Sequence, residues 1–170
     1  MRRSLLSIAI VTAAVFALGG TALAQSEFDD VNVEYTFSLP SDAWKMTVKP
    51  SRMSPNVEYV YNYRKEGHLE IRKITIDPNT LFGDLIRDEE QKLQFVPGYV
   101  SGREENFKGL LEGRVFNYEF VRSGRNMSGR FYFLRASGDT VYVLRFTGEK
   151  SSLRSIRNET DLIARTFKIK

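Results

Sequence analysis

The sequence predicts an α+β domain: an antiparallel sheet of about six to eight strands covered by helices. Three observations carry that expectation. Short segments with period-2 alternation of apolar residues recur through most of the chain, separated by turn residues. Only two stretches carry helical spacing, one in the middle and one at the C-terminus. No internal repeat or long linker divides the chain, so strands and helices belong to one layered core.

The first residues are set apart from that core. Arg2 and Arg3 form a positive start, Leu5 to Leu18 an apolar run, and Ala22-Leu23-Ala24 a small-x-small cleavage site. The apolar run is shorter than the roughly 20 residues that span hydrocarbon. Residues 1–24 are therefore expected to be a cleaved signal peptide, and the protein to be exported to the periplasm or beyond the cell in a bacterium. No transmembrane anchor is expected in the mature chain. The chain has no cysteine, so packing and hydrogen bonds alone must hold it together, and thiol chemistry is excluded. The formal charge of +4 falls by two once Arg2 and Arg3 are removed. No basic block marks a nucleic-acid footprint.

Residues 25–32 (QSEFDDVN) are polar without alternation and are expected to fray, so the domain is placed at 33–170. Val33, Tyr35, Phe37 and Leu39 alternate along a strand that Pro40-Ser41-Asp42 ends, and Trp44 to Val48 follows as a second. Residues 57–64 and 69–76 flank Lys65-Glu66-Gly67 as a hairpin, with Tyr59, Tyr61 and Tyr63 on one face. Asp77-Pro78-Asn79-Thr80 offers a cap for a helix over 81–95, whose apolar stripe is Phe82, Leu85, Ile86 and Leu93. Pro97-Gly98 stops it, and a strand follows at 99–108. A three-stranded meander then runs through 113–122, 127–136 and 140–148. Leu153, Ile156, Thr160, Ile163 and Phe167 form the stripe of a closing helix, with Ser151 or Ser152 as its cap, expected to lie across the sheet.

This order of elements resembles the PsbP-like domains, which share their fold with the Mog-type nuclear-import factors. The carriers are YTFSLPSDAW (35–44), similar to the family's F-x-x-x-x-P-x-x-W opening, the FYFLRASGDTVYVLRFTG hairpin (131–148), and the closing Ile163-Ala164-Arg165-Thr166-Phe167-Lys168. The resemblance implies an antiparallel sheet between helices and a protein that docks on others as an extrinsic subunit or adaptor. The strongly apolar leader is unlike a plastid transit peptide, which argues against a photosystem role.

Two-residue loops at both turns of the meander would set Phe116 opposite Phe133, Tyr118 opposite Phe131, Phe133 opposite Leu144 and Phe131 opposite Phe146. Phe116, Tyr118, Phe120, Phe131, Phe133, Tyr142, Leu144 and Phe146 would then share one aromatic core face. The other face would set Glu119 opposite Arg130, with Asn117, Tyr132 and Arg145 in the next row. Two readings of that cluster stand side by side. One is a cross-strand ion pair flanked by snorkelling arginines. The other is an anion-receiving groove for a carboxylate, a phosphate or an acidic partner loop, because guanidiniums pair bidentately with such groups. A three-residue loop at either turn would move these residues to other faces.

Signals for catalysis are thin. His68 is the only histidine and has no partner at evident spacing. Asp84, Asp88, Glu89 and Glu90, with Glu104 and Glu105 beyond them, suit wetted surfaces rather than an oxygen-ligand loop. No G-x-S-x-G or phosphate-cradling glycine loop occurs. The sequons at Asn126 and Asn158 would matter only in a eukaryotic secretory route. The expectation is a non-catalytic binding domain without metal or cofactor that docks, as the resemblance implies, on an envelope protein or complex; the alternatives are a carrier or sensor of a small anionic or amphipathic ligand and an unrecognised hydrolase.

Overall fold

The computed structural model describes residues 26–170, so the expected signal peptide lies outside the described residues. Ten strands and three helices follow in the order β1 (Ser26–Asp29), β2 (Tyr35–Leu39), β3 (Trp44–Val48), β4 (Val57–Tyr61), β5 (Gly67–Thr75), α1 (Phe82–Leu93), β6 (Val100–Lys108), β7 (Glu112–Arg122), β8 (Arg125–Arg135), β9 (Thr140–Glu149), α2 (Lys150–Ser155), α3 (Arg157–Thr166) and β10 (Lys168–Ile169). A seven-stranded antiparallel sheet runs β3-β4-β5-β9-β8-β7-β6, and a small sheet runs β1-β2-β10. The class is α+β, as the alternation indicated.

The fold begins earlier than expected. Ser26–Asp29 pairs with β2, and Phe28 is buried, stacked on Phe37 with ring centroids 4.8 Å apart. One aromatic residue anchors a segment whose polar neighbours suggested fraying.

Two apolar layers form, one on each face of the large sheet. On one face β1, β2, α2 and α3 close over Leu69, Ile71, Tyr132, Leu134, Leu144 and Phe146. The expected C-terminal stripe is buried there, but the chain leaves helical geometry at Ile156 and divides the helix in two. Ile156 drops against Gly67, where a Cβ would stand 2.9 Å from its Cδ1. Neither Ser151 nor Ser152 caps α2, which starts after Glu149. On the opposite face α1 sets Leu85, Ile86 and Leu93 against Phe116, Tyr118 and Phe131. Its start is Leu81, whose backbone N–H donates to the Asp84 carboxylate at 3.3 Å, in place of a cap from residues 77–80.

The YTFSLPSDAW opening is fastened to the C-terminal helix. Glu159 on α3 accepts from Ser41 Oγ at 3.0 Å and from Trp44 Nε1 at 2.9 Å. The buried indole N–H thereby has its partner, and the first strands are tied to the last helix.

The meander register differs from the count made on the sequence. β7 and β8 are joined by Ser123-Gly124, both at positive φ (50° and 72°), closing on the Arg122–Arg125 pair. Phe116 therefore faces Phe131, and Tyr118 faces Gly129. That shift is an even number of residues and leaves the faces unchanged. The β8–β9 loop instead spans three residues, Ser137 to Asp139, with Ala136 N–H donating to the Thr140 carbonyl at 3.0 Å. An odd loop turns every residue of β9 to the other face. Phe131 consequently faces Arg145 and Phe133 faces Val143, while Tyr142, Leu144 and Phe146 belong to the α2/α3 layer.

Candidate functional site

The register separates the two arginines that sequence counting had grouped. Arg145 lies on the α1 face: its Nε donates to Tyr118 Oη at 2.9 Å, and its guanidinium is 5.4 Å from the Phe131 ring centroid and 5.9 Å from that of Tyr118. Gly129 makes room for this arrangement, since a Cβ there would lie 2.0 Å from the Tyr118 ring. Glu70, opposite Arg145 on β5, approaches to 4.0 Å. Arg145 is thus not part of the expected cluster.

Asn117, Glu119, Arg130 and Tyr132 do share the α2/α3 face, but they are not paired as expected. Arg130 faces Asn117, not Glu119, and Glu119 faces Ser128. Glu119 accepts from Lys150 Nζ at 2.7 Å. Asn117 Nδ2 donates to the Arg103 carbonyl at 3.1 Å, which holds the irregularity where the β6–β7 register shifts between Ser101 and Glu104. Gly102 belongs to that irregularity, and a Cβ on it would meet the Asn117 carbonyl oxygen at 2.5 Å.

Arg130 is the unusual group. It is only 8% exposed, its guanidinium lies 5.2 Å from the Tyr132 ring centroid, and its nearest carboxylate is Asp161 of α3, at 3.4 Å from Nη2. Its Nε is buried without a hydrogen-bond partner. Asp161 is also engaged elsewhere, accepting from Tyr132 Oη at 2.5 Å. Burial pushes the Tyr132 hydroxyl well above the usual tyrosine range, with Asp161 adding to the rise, so Tyr132 remains a neutral donor to that carboxylate. A guanidinium carries five donors, and one long ion pair leaves most of them unused. A buried charge with unused donors is costly unless a further anion or water completes it.

Above Arg130 is a cleft of about 470 Å³ between β6, the β7–β8 strands and the helical stripe of Lys150, Leu153, Arg154 and Arg157. A second depression adjoins it, sharing Lys150 and Arg154 and reaching Arg125 and Glu149 at the base of the β7–β8 turn. Arg157 faces Glu105 at 3.9 Å, and Arg125 pairs with Glu149 at 2.6 Å. Arg103 and Arg154, both exposed, have no carboxylate within ion-pair distance among the described residues. A basic surface absent from any one segment is assembled from three. Counting along strands could not find Arg103, Arg154, Arg157 or Asp161, although Lys150, Arg154 and Arg157 recur at helical spacing.

Of the catalytic candidates only Glu105 lines a cleft, paired there with Arg157; His68 and the α1 carboxylates lie elsewhere. His68 Nε2 is 2.8 Å from Glu58 Oε2 on the neighbouring strand, and Arg64 approaches the same carboxylate at 3.6 Å. On α1, Asp84 pairs with Arg87, and Glu89 with Arg72 and Lys92. Tyr59 is buried in the core, Tyr61 half-buried and Tyr63 exposed, so the tyrosine strand offers one free ring rather than a stripe. No described helix is long and apolar enough to cross a membrane.

The sequence matches no protein-family model and no curated protein. Solved structures are similar in fold. The Ran-binding protein Mog1p of Saccharomyces cerevisiae superposes with a TM-score of 0.61 at 12% identity, over 87% of this chain and 96% of that one. The cyanobacterial PsbP (CyanoP) of Synechocystis gives 0.59 at 14% identity, over 92% and 99%. LpqN of Mycobacterium tuberculosis, described as involved in cell envelope biogenesis, gives 0.55 at 13% identity, over 88% and 87%. The resemblance first met in YTFSLPSDAW and the closing helix is thus one of whole architecture, and the chain has the PsbP/Mog1-like fold.

Proposed function

We propose that this protein is an exported, non-catalytic binding domain that docks on a protein of the bacterial envelope through the Arg130 cleft. The observation that carries the reading is Arg130 itself: a buried guanidinium with an orphaned Nε at the base of a cleft with a basic rim. An anion from outside can complete such a group with a charge-assisted hydrogen bond. The cleft opens to solvent, which suits a partner's protruding segment better than an enclosed small ligand. Two fold neighbours lend support of a general kind, one described as Ran-binding and one as involved in cell envelope biogenesis. The apolar leader with its Ala22-Leu23-Ala24 site supports export.

Photo-crosslinking tests the docking. A benzophenone amino acid at exposed Ser151, beside the cleft, is expected to give one discrete protein adduct in native envelopes, and the same probe at Arg87 on α1 none. An adduct from Arg87 alone, or none from Ser151, would overturn the reading.

A further inference from the structure

The two adjoining depressions, taken together as a groove, have a length and charge pattern that describe what they hold. They share Lys150 and Arg154 and flank α2, a helix of six residues and so about 9 Å long at 1.5 Å per residue. At about 3.3 Å per residue, an extended chain lying along α2 would place about three residues beside it. Cations stand at both ends and in the middle: Arg125 at one end, Lys150 and Arg154 between, Arg130 and Arg157 at the other. Arg130 is buried and under-partnered, whereas Arg154 is exposed with no carboxylate nearby among the described residues. With Arg103, likewise exposed and without a carboxylate nearby among the described residues, the groove has three unsatisfied positive positions, one deep and two at the rim.

Resting on the docking proposed above, we infer that the occupant is an extended acidic segment of a protein partner, carrying at least two carboxylates a few residues apart. One carboxylate meets Arg130 in the cleft, and the other meets Arg154 on the rim. Glu105, Glu119 and Glu149 also line the walls, paired with Arg157, Lys150 and Arg125, which leaves Arg130, Arg103 and Arg154 for an incoming acid. The lining lacks the row of open aromatic rings on which single-stranded bases stack.

Fluorescence anisotropy of dye-labelled hexaglutamate with the full chain, purified as expressed, tests this chemistry, with labelled hexaglutamine as the neutral reference. Hexaglutamate is expected to bind and hexaglutamine not, with binding weakening as salt rises from about 0.05 to about 0.3 M. Arg130→Gln is expected to weaken binding about tenfold or more, as for loss of a charge-assisted contact. Arg154→Gln should weaken it about threefold, as for an exposed pair, and this exposed substitution keeps the test informative should Arg130→Gln not fold. Equal binding of the two peptides would overturn the inference, as would hexaglutamate binding indifferent to Arg154→Gln. Displacement of hexaglutamate by equimolar inorganic phosphate would point to a single-anion pocket and overturn the extended occupant, and tighter binding of a labelled oligothymidylate would overturn the protein partner. Failure here with the Ser151 adduct retained would sink the acidic recognition alone, whereas loss of the adduct would sink the docking itself.

Discussion

Arg130 and Arg145 stand on neighbouring strands of one sheet and meet opposite fates. Arg145, with 31% of its side chain exposed, has its partners within the fold: a phenolic acceptor at 2.9 Å, two aromatic faces, and a carboxylate at 4.0 Å. Arg130 is more deeply buried and less well served, with one carboxylate at 3.4 Å and an Nε that meets nothing. The α1 face is built to be finished within the fold. The α2/α3 face leaves a charge unfinished where a cleft gives access to it. Residue type alone does not separate a structural arginine from a binding one; the donors left over after folding do.

The sharpest way to break this contrast is to disturb the finished face. Gly129→Ala would drive a methyl into the Tyr118 ring and displace the acceptor of Arg145. We expect a loss of about 2 to 3 kcal/mol in urea unfolding, as for an overpacked core. A change within about 0.5 kcal/mol would mean that the ring moves freely and Arg145 needs no such partner.

The cover of the other face can be loosened separately. Glu159→Ala removes the acceptor of Ser41 and Trp44 and should cost about 2 kcal/mol. Trp44 is the sole tryptophan, so its fluorescence reports the site directly and should shift to the red. An unshifted spectrum would show that packing alone seats the indole. Arg145→Met is expected to cost about 1 kcal/mol, from one lost hydrogen bond and two ring contacts. A stability gain would contradict the view that this arginine is satisfied.

The smallest effect is one of pH. Hydrogen bonds from Lys73 and then Tyr142 hold the Glu34 carboxyl down at about 2, against an ordinary value of 4.5. The folded state therefore binds this proton less readily than the unfolded chain, so the contribution is present above about pH 4.5 and is lost as pH falls toward about 2. Glu34 is partly exposed, and screening should keep the effect below about 1 kcal/mol. Unfolding midpoints at pH 6 and pH 3 should lie closer together for Glu34→Gln than for the parent chain. An unchanged gap would assign the acid sensitivity to other carboxylates.

Much of this architecture was legible in the residues. Alternation located the strands from Tyr35 onward, and the Leu153 to Phe167 stripe located the closing helix, because burial imposes periods of 2 and 3.6 on side chains. Registry was not legible to the same degree. Ser123-Gly124 and Ser137-Gly138-Asp139 are both plausible tight turns, yet one loop of odd length carries Arg145 away from Arg130 and sends Tyr142, Leu144 and Phe146 to the other layer. Four of the five expected site residues share a face, but their partners come from elsewhere: Lys150 for Glu119, Asp161 for Arg130, and the Arg103 carbonyl for Asn117. Those contacts depend on how a helix and a strand irregularity close over the sheet, which no period in the sequence encodes.

The most direct test compares the two arginines in one experiment, measuring both the urea midpoint and the yield of the Ser151 photo-adduct for Arg130→Met and Arg145→Met. Arg130→Met is expected to keep or raise stability and lose the adduct, because a poorly paired buried charge adds little to folding. Arg145→Met is expected to lose stability and keep the adduct. A folded Arg130→Met variant that crosslinks as well as the parent would contradict the claim that this arginine receives the partner.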